Sequence, residues 1–164
     1  MTGLRTHIRH VVDWKAAVYA GLIAGAVFLL VLLAAYPLAT GGSVWTVFRF
    51  IAAIVLGEAV LPPPTTFDAS VVLTAVVLHF ALSVIYTLIL AFIVHRWQLL
   101  ISIFGGALFG LALYLINFFT FTTLFAWFYP ARAWPFALIH ILFGAVAGGI
   151  YELLEKDVFI IKTD

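Results

Sequence analysis

Between residues 16 and 38 the chain carries no charged side chain, and three further segments, 70–94, 99–121 and 134–154, are comparably apolar over a similar length. Each is long enough to cross a hydrocarbon layer about 30 Å thick, which takes roughly 20 helical residues. A water-soluble domain of 164 residues has no core large enough to hide four such runs, and the composition agrees: 66% of residues are hydrophobic and 9% charged. In hydrocarbon every backbone amide needs an internal partner, so the choice is helices or a closed barrel. Unbroken apolar runs, without the alternation of barrel strands, select helices. The fold class expected is therefore an all-α membrane protein, a four-transmembrane-helix bundle forming a single integral membrane domain over 1–164.

A fifth segment, 44–61, is apolar but shorter, carries Arg49 and Glu58, and ends in Leu61-Pro62-Pro63-Pro64. Lys and Arg near span ends gather on the cytoplasmic side of a membrane. If 44–61 crossed, Arg5, Arg9, Lys15 and Arg132 would oppose Arg96, Lys156 and Lys162, an almost even split. If it stays in the interface or re-enters, Arg5, Arg9, Lys15, Arg96, Lys156 and Lys162 share one side against Arg49 and Arg132. The second arrangement satisfies the bias. It predicts four spans, a short amphipathic or re-entrant helix over 44–61, a cytoplasmic N-terminal segment 1–15 and a cytoplasmic tail 155–164, in a bacterial inner membrane. The first apolar run exceeds the core of a secretory signal, so it is expected to remain as an anchor.

The net charge of +1 and scattered basic residues exclude a nucleic-acid footprint. The absence of cysteine excludes disulfides, thiolate metal sites and cysteine nucleophiles. The lipid bilayer is the expected partner, with a homo-oligomer or a larger membrane complex as the protein assembly.

Small residues mark where membrane helices approach closely. Gly21-x3-Gly25, Gly106-x3-Gly110 and Gly144-x3-Gly148 are the expected packing motifs. His79-x3-Ser83-x3-Thr87 matches His140-x3-Gly144-x3-Gly148 in spacing and in small or polar character, so the chain reads as two parallel structural repeats related by an axis along the membrane normal. His79 and His140 lie roughly 10 to 15 Å from the outer ends of their spans at 1.5 Å per residue. Asn117, on the glycine face of its own helix, falls at a similar depth. His79, Asn117 and His140 thus form a candidate polar layer, with Arg49 or Glu58 expected to reach it. The aromatic run between Phe118 and Phe136, around Arg132, reads as an interfacial belt, with a stacking surface for a quinone or lipid head group as the functional alternative.

These motifs, Gly21-Leu22-Ile23-Ala24-Gly25, His79-Phe80 through Tyr86, Gly106-Ala107-Leu108-Phe109-Gly110, and His140-Ile141-Leu142-Phe143-Gly144 through Tyr151-Glu152, resemble the YagU-like small bacterial inner-membrane proteins. The resemblance implies a helical inner-membrane protein without an established reaction, and supplies no catalytic residues.

Neutral histidines in a bundle serve as interhelical hydrogen-bonding groups, each such bond worth about 1 kcal/mol. The leading functional expectation is accordingly a structural or accessory subunit without catalysis or cofactor. One alternative is a proton or small-solute transport component, with its site between the two halves. A second is a bis-histidine haem b or metal site at His79 and His140. An intramembrane hydrolase built on Ser83 and His79 lacks both a Gly-x-Ser-x-Gly context and an orienting carboxylate.

Overall fold

The structure is a computed structural model that describes residues 11–156; Arg5, Arg9, Lys162 and most of the N-terminal segment and tail lie outside the described residues. Helix α1, Trp14–Thr40, begins where the Asp13 carboxylate accepts from the Lys15 and Ala16 amides, and ends at Gly41, whose φ of 69° takes the left-handed turn after the last carbonyls. Helix α2, Val44–Leu56, is capped by Ser43 and stops at Gly57, φ 79°. The expected segment 44–61 is thus helical over its first part, with a short turn at Glu58–Val60 beyond the glycine. Helix α3, Ala69–Val94, starts on the Asp68 carboxylate. Helix α4, Leu99–Leu115, continues as a π-helical turn, Ile116–Thr120, and a 3-10 turn, Phe121–Thr123. A second 3-10 segment, Ala126–Ala131, leads into α5, Trp134–Leu154, whose Pro135 sits in the first turn where a missing N–H costs nothing.

Four of these helices are long and apolar enough to cross a membrane: Trp14–Thr40, Ala69–Val94, Leu99–Thr123 and Trp134–Leu154. The 13-residue α2 spans only about 20 Å at 1.5 Å per residue. Its place follows from helix direction. Gly21 packs beside Val84 and Thr87, and Gly25 beside Phe80 and Ser83, so α1 and α3 run antiparallel. The chain therefore leaves α1 and enters α3 at one end of the bundle, so the connection that carries α2 returns to the end it left. Helix α2 lies on the adjoining halves of its neighbours, burying Phe48 and Ala52 against Leu29, Val71 and Ala75.

Helices α4 and α5 form the closest pair. A Cβ added to Gly106 would strike the Gly144 carbonyl, one on Gly144 would strike the Gly106 carbonyl, one on Gly110 the His140 carbonyl, and one on Gly148 the Ser102 carbonyl. Backbone thus meets backbone without side chains between, the contact that dispersion and weak Cα–H···O attraction favour in lipid. The expected Gly-x3-Gly motifs are the packing seam. In the α1–α3 pair the same motif meets backbone at one glycine and a side chain at the other: an added Cβ on Gly21 would lie 2.9 Å from Val84 Cα and 3.1 Å from the Ser83 carbonyl, and one on Gly25 2.7 Å from Ser83 Oγ.

The two hairpins therefore repeat the pairing of a Gly-x3-Gly helix with a histidine helix, but they do not dock with two-fold symmetry. A two-fold axis would exchange α1 with α4 and α3 with α5, making the α3–α4 contact equal to the α1–α5 contact. Instead α1 lies along α5, joined through Ala16, Ala17, Ala20 and Ala24 to Ala147 and Tyr151 in one buried cluster, while α3 and α4 barely touch. Small alanines let α1 settle on α5; the larger Leu82, Tyr86, Leu113 and Phe118 on α3 and α4 hold a space open between them.

Candidate functional site

His79 reaches across the α1–α3 seam, its Nε2–H donating to the Gly25 carbonyl at 2.8 Å. His140 turns back along α5, its Nδ1–H donating to the Phe136 carbonyl at 2.8 Å. A carbonyl only accepts, so these bonds fix the proton on each ring. In the neutral imidazoles the second nitrogen, Nδ1 of His79 and Nε2 of His140, keeps its lone pair. Both rings pack against Phe28, with centroids 5.5 Å from His79 and 4.9 Å from His140. Tyr114 and Phe118 complete the surroundings of His140 at 5.8 and 5.4 Å.

Beside the two histidines is a cavity of about 100 Å³, bounded also by Ser83, Tyr86, Asn117 and Phe143. At ~30 Å³ per water molecule that is room for about three waters. The expected layer of His79, Asn117 and His140 is thus brought together around one cavity. Tyr86 and Asn117, with Leu82, also bound a second space of about 380 Å³, whose other walls are Ile54 of α2, Leu124 and the rings of Phe118, Phe121, Phe125 and Phe128. The Tyr86 hydroxyl donates to Asn117 Oδ1 at 3.4 Å, at the junction of the two spaces. The site is an apolar cleft between α3 and α4 ending in a polar floor.

Arg49 and Glu58 do not join the layer, contrary to expectation. The Arg49 guanidinium donates to the Val60 carbonyl at 2.7 Å and to the Thr66 carbonyl at 3.2 Å, tying the 57–68 connection to α2. A charged group in an apolar setting takes the nearest acceptors, and the folded-back connection supplies them before the bundle interior does. Glu58, beyond Gly57, is exposed.

The cleft is shaped by residues of the aromatic run around Arg132, through contacts that the sequence did not specify. Arg132 donates through Nε to the Phe118 carbonyl at 2.6 Å and through its terminal nitrogen to Thr122 Oγ1, while its guanidinium lies 5.0 Å from the Phe119 ring centre and 4.4 Å from that of Tyr129. It therefore fastens the 126–131 segment to the end of α4, just where the π turn places Asn117. Trp127 adds a bond from Nε1 to the Phe50 carbonyl of α2 at 3.2 Å. A belt reading explains the aromatics by composition; their lashing to one arginine depends on backbone carbonyls that side-chain patterns do not announce. Ser83 Oγ–H donates to the His79 carbonyl of its own helix at 2.8 Å, so its proton is held by backbone and not by the imidazole.

The chain matches no protein-family model, no curated protein and no solved structure.

Proposed function

We propose that this chain is a non-catalytic, multi-pass protein of the bacterial inner membrane, acting as a structural or accessory subunit with its N-terminus in the cytoplasm. The observation that carries the reading is the use made of the buried polar groups: each histidine proton is engaged by a helix carbonyl, and the His79 bond crosses between α1 and α3. That is the geometry of a fastening, in which an unpaired polar group would be costly and a paired one fixes register. Membership of the YagU-like group rests on the glycine and histidine motifs alone.

The transport reading draws on the polar cavity, yet the half of the bundle below it is closed by a packed cluster in which Leu90, Ala91, Val94, Ala147 and Tyr151 are all at most 1% exposed. A through-path would require those helices to part. The haem or metal reading needs both imidazoles to face one centre; Phe28 packs on both rings and the adjoining space is about 100 Å³, dimensions that suit a few waters better than a porphyrin.

Protein reconstituted in proteoliposomes is expected to conduct neither protons nor small solutes above the level of lipid alone, and to purify colourless from cells supplied with haem. Flux lost in His79→Ala or His140→Ala would replace this reading with transport, and a Soret band lost in the same variants would replace it with haem binding.

A further inference from the structure

The cleft between α3 and α4 has a chemistry that goes beyond a fastening, and it stands apart from the accessory role. Its larger space, about 380 Å³, lies within the size range of ligand sites and is walled mainly by Phe118, Phe121, Phe125 and Phe128 with Leu82 and Ile54. It is bounded by two helices that are long and apolar enough to cross a membrane and that hardly meet. Among the described residues no Lys, Arg, Asp or Glu lines it or the smaller cavity behind it. A charged head group would enter without a counter-charge, at high desolvation cost.

The polar floor is unbalanced. The Tyr86 and Ser83 hydroxyl protons are committed to Asn117 Oδ1 and to the His79 carbonyl, leaving both oxygens as acceptors. The neutral His79 and His140 each keep one lone pair after donating to a carbonyl. Against these four acceptors the Asn117 amide is the donor on the floor. Such a surface is satisfied by a guest that brings its own O–H groups.

The geometry points to a binding site for a neutral amphiphile with a hydroxyl-bearing head: the head rests on Tyr86, Asn117 and the two histidines, and the apolar body lies in the phenylalanine cleft and leaves between α3 and α4 into the bilayer. A hydroquinone and a diacylglycerol share this chemistry.

The test is equilibrium binding to the full chain in nanodiscs, read by quenching or shift of tryptophan fluorescence, since Trp127 is anchored beside the cleft. The probes are decyl-hydroquinone, dioctanoylglycerol, the dimethyl ether of the first, the acetyl ester of the second, and decanoate. At least one hydroxyl probe is expected to bind ten-fold or more tightly than its capped derivative and than decanoate; whichever does identifies the source of the head group. Asn117→Leu and His140→Phe are expected to reduce that binding by ten-fold or more while keeping the wild-type helical circular dichroism. His140→Gln, which restores a polar side chain, is expected to recover part of it, so a mere packing defect in the phenylalanine variant is distinguished. Equal binding of capped and uncapped probes, preference for decanoate, or no binding of any probe would overturn the assignment, whereas none of these outcomes bears on flux or haem content.

Discussion

At the scale of single residues, the buried imidazoles and the helix caps decide where polar atoms go. His79→Ala removes the bond to the Gly25 carbonyl and is expected to lower stability in detergent by ~1 kcal/mol, the usual worth of an interhelical hydrogen bond in a membrane. His79→Gln, with an N–H able to reach for the same carbonyl, is expected to lose less; unfolding in mixed micelles compares the two. At the start of α3 the Ser70 hydroxyl, followed by the Val71 amide, holds the Asp68 carboxyl below its ordinary value of 3.8. A lowered pKa means the ionised cap stabilises fully above that value and loses its effect as the pH falls through the folded-state one. The difference in melting temperature between wild type and Asp68→Ala is therefore expected to be constant near neutrality and to shrink below about pH 3.8. That His79, Asn117 and His140 share one level of the bundle was legible because helical rise is uniform, and the three line one cavity. The partners of Arg49 were not, because they are carbonyls of a connection whose path no periodicity records.

At the scale of helices, the α4–α5 seam is set by glycine. Gly144→Ala places a methyl against the Gly106 carbonyl and is expected to cost ~1–3 kcal/mol, the range for overfilling a packed interior. Gly149→Ala, whose new methyl would meet the movable Ile103 side chain at 3.0 Å, is expected to cost much less. Steric trapping or graded SDS unfolding checks the pair. Arg132→Ala is expected to free the 126–131 segment from the end of α4, seen as faster amide hydrogen exchange over 118–131 with the rest of the bundle unchanged. The glycine spacing was readable because close approach leaves no other residue type possible. The π turn at 116–120 was not, since nothing in Ile116-Asn117-Phe118-Phe119-Thr120 departs from ordinary helical composition.

At the scale of the whole molecule, sequence periodicity carries the pairing within each hairpin but not the docking between hairpins. Gly-x3-Gly opposite His-x3-small recurs in both halves, yet whether α1 meets α5 or α3 meets α4 depends on alanines at Ala16, Ala20 and Ala24 against bulky side chains at Leu82, Tyr86 and Leu113, a comparison across elements far apart in the chain. The asymmetry that results opens the cleft. The central claim beneath it is that four helices cross while α2 does not, and a chain without cysteine permits a clean measurement. Single cysteines at Gly42, Thr66, Gln98 and Lys156, probed in sealed vesicles of one orientation with a membrane-impermeant maleimide, should separate into two sets: Gly42 and Thr66 labelled from one side, Gln98 and Lys156 from the other. Labelling of Gly42 and Thr66 from opposite sides would mean that α2 crosses the membrane, and would contradict the account.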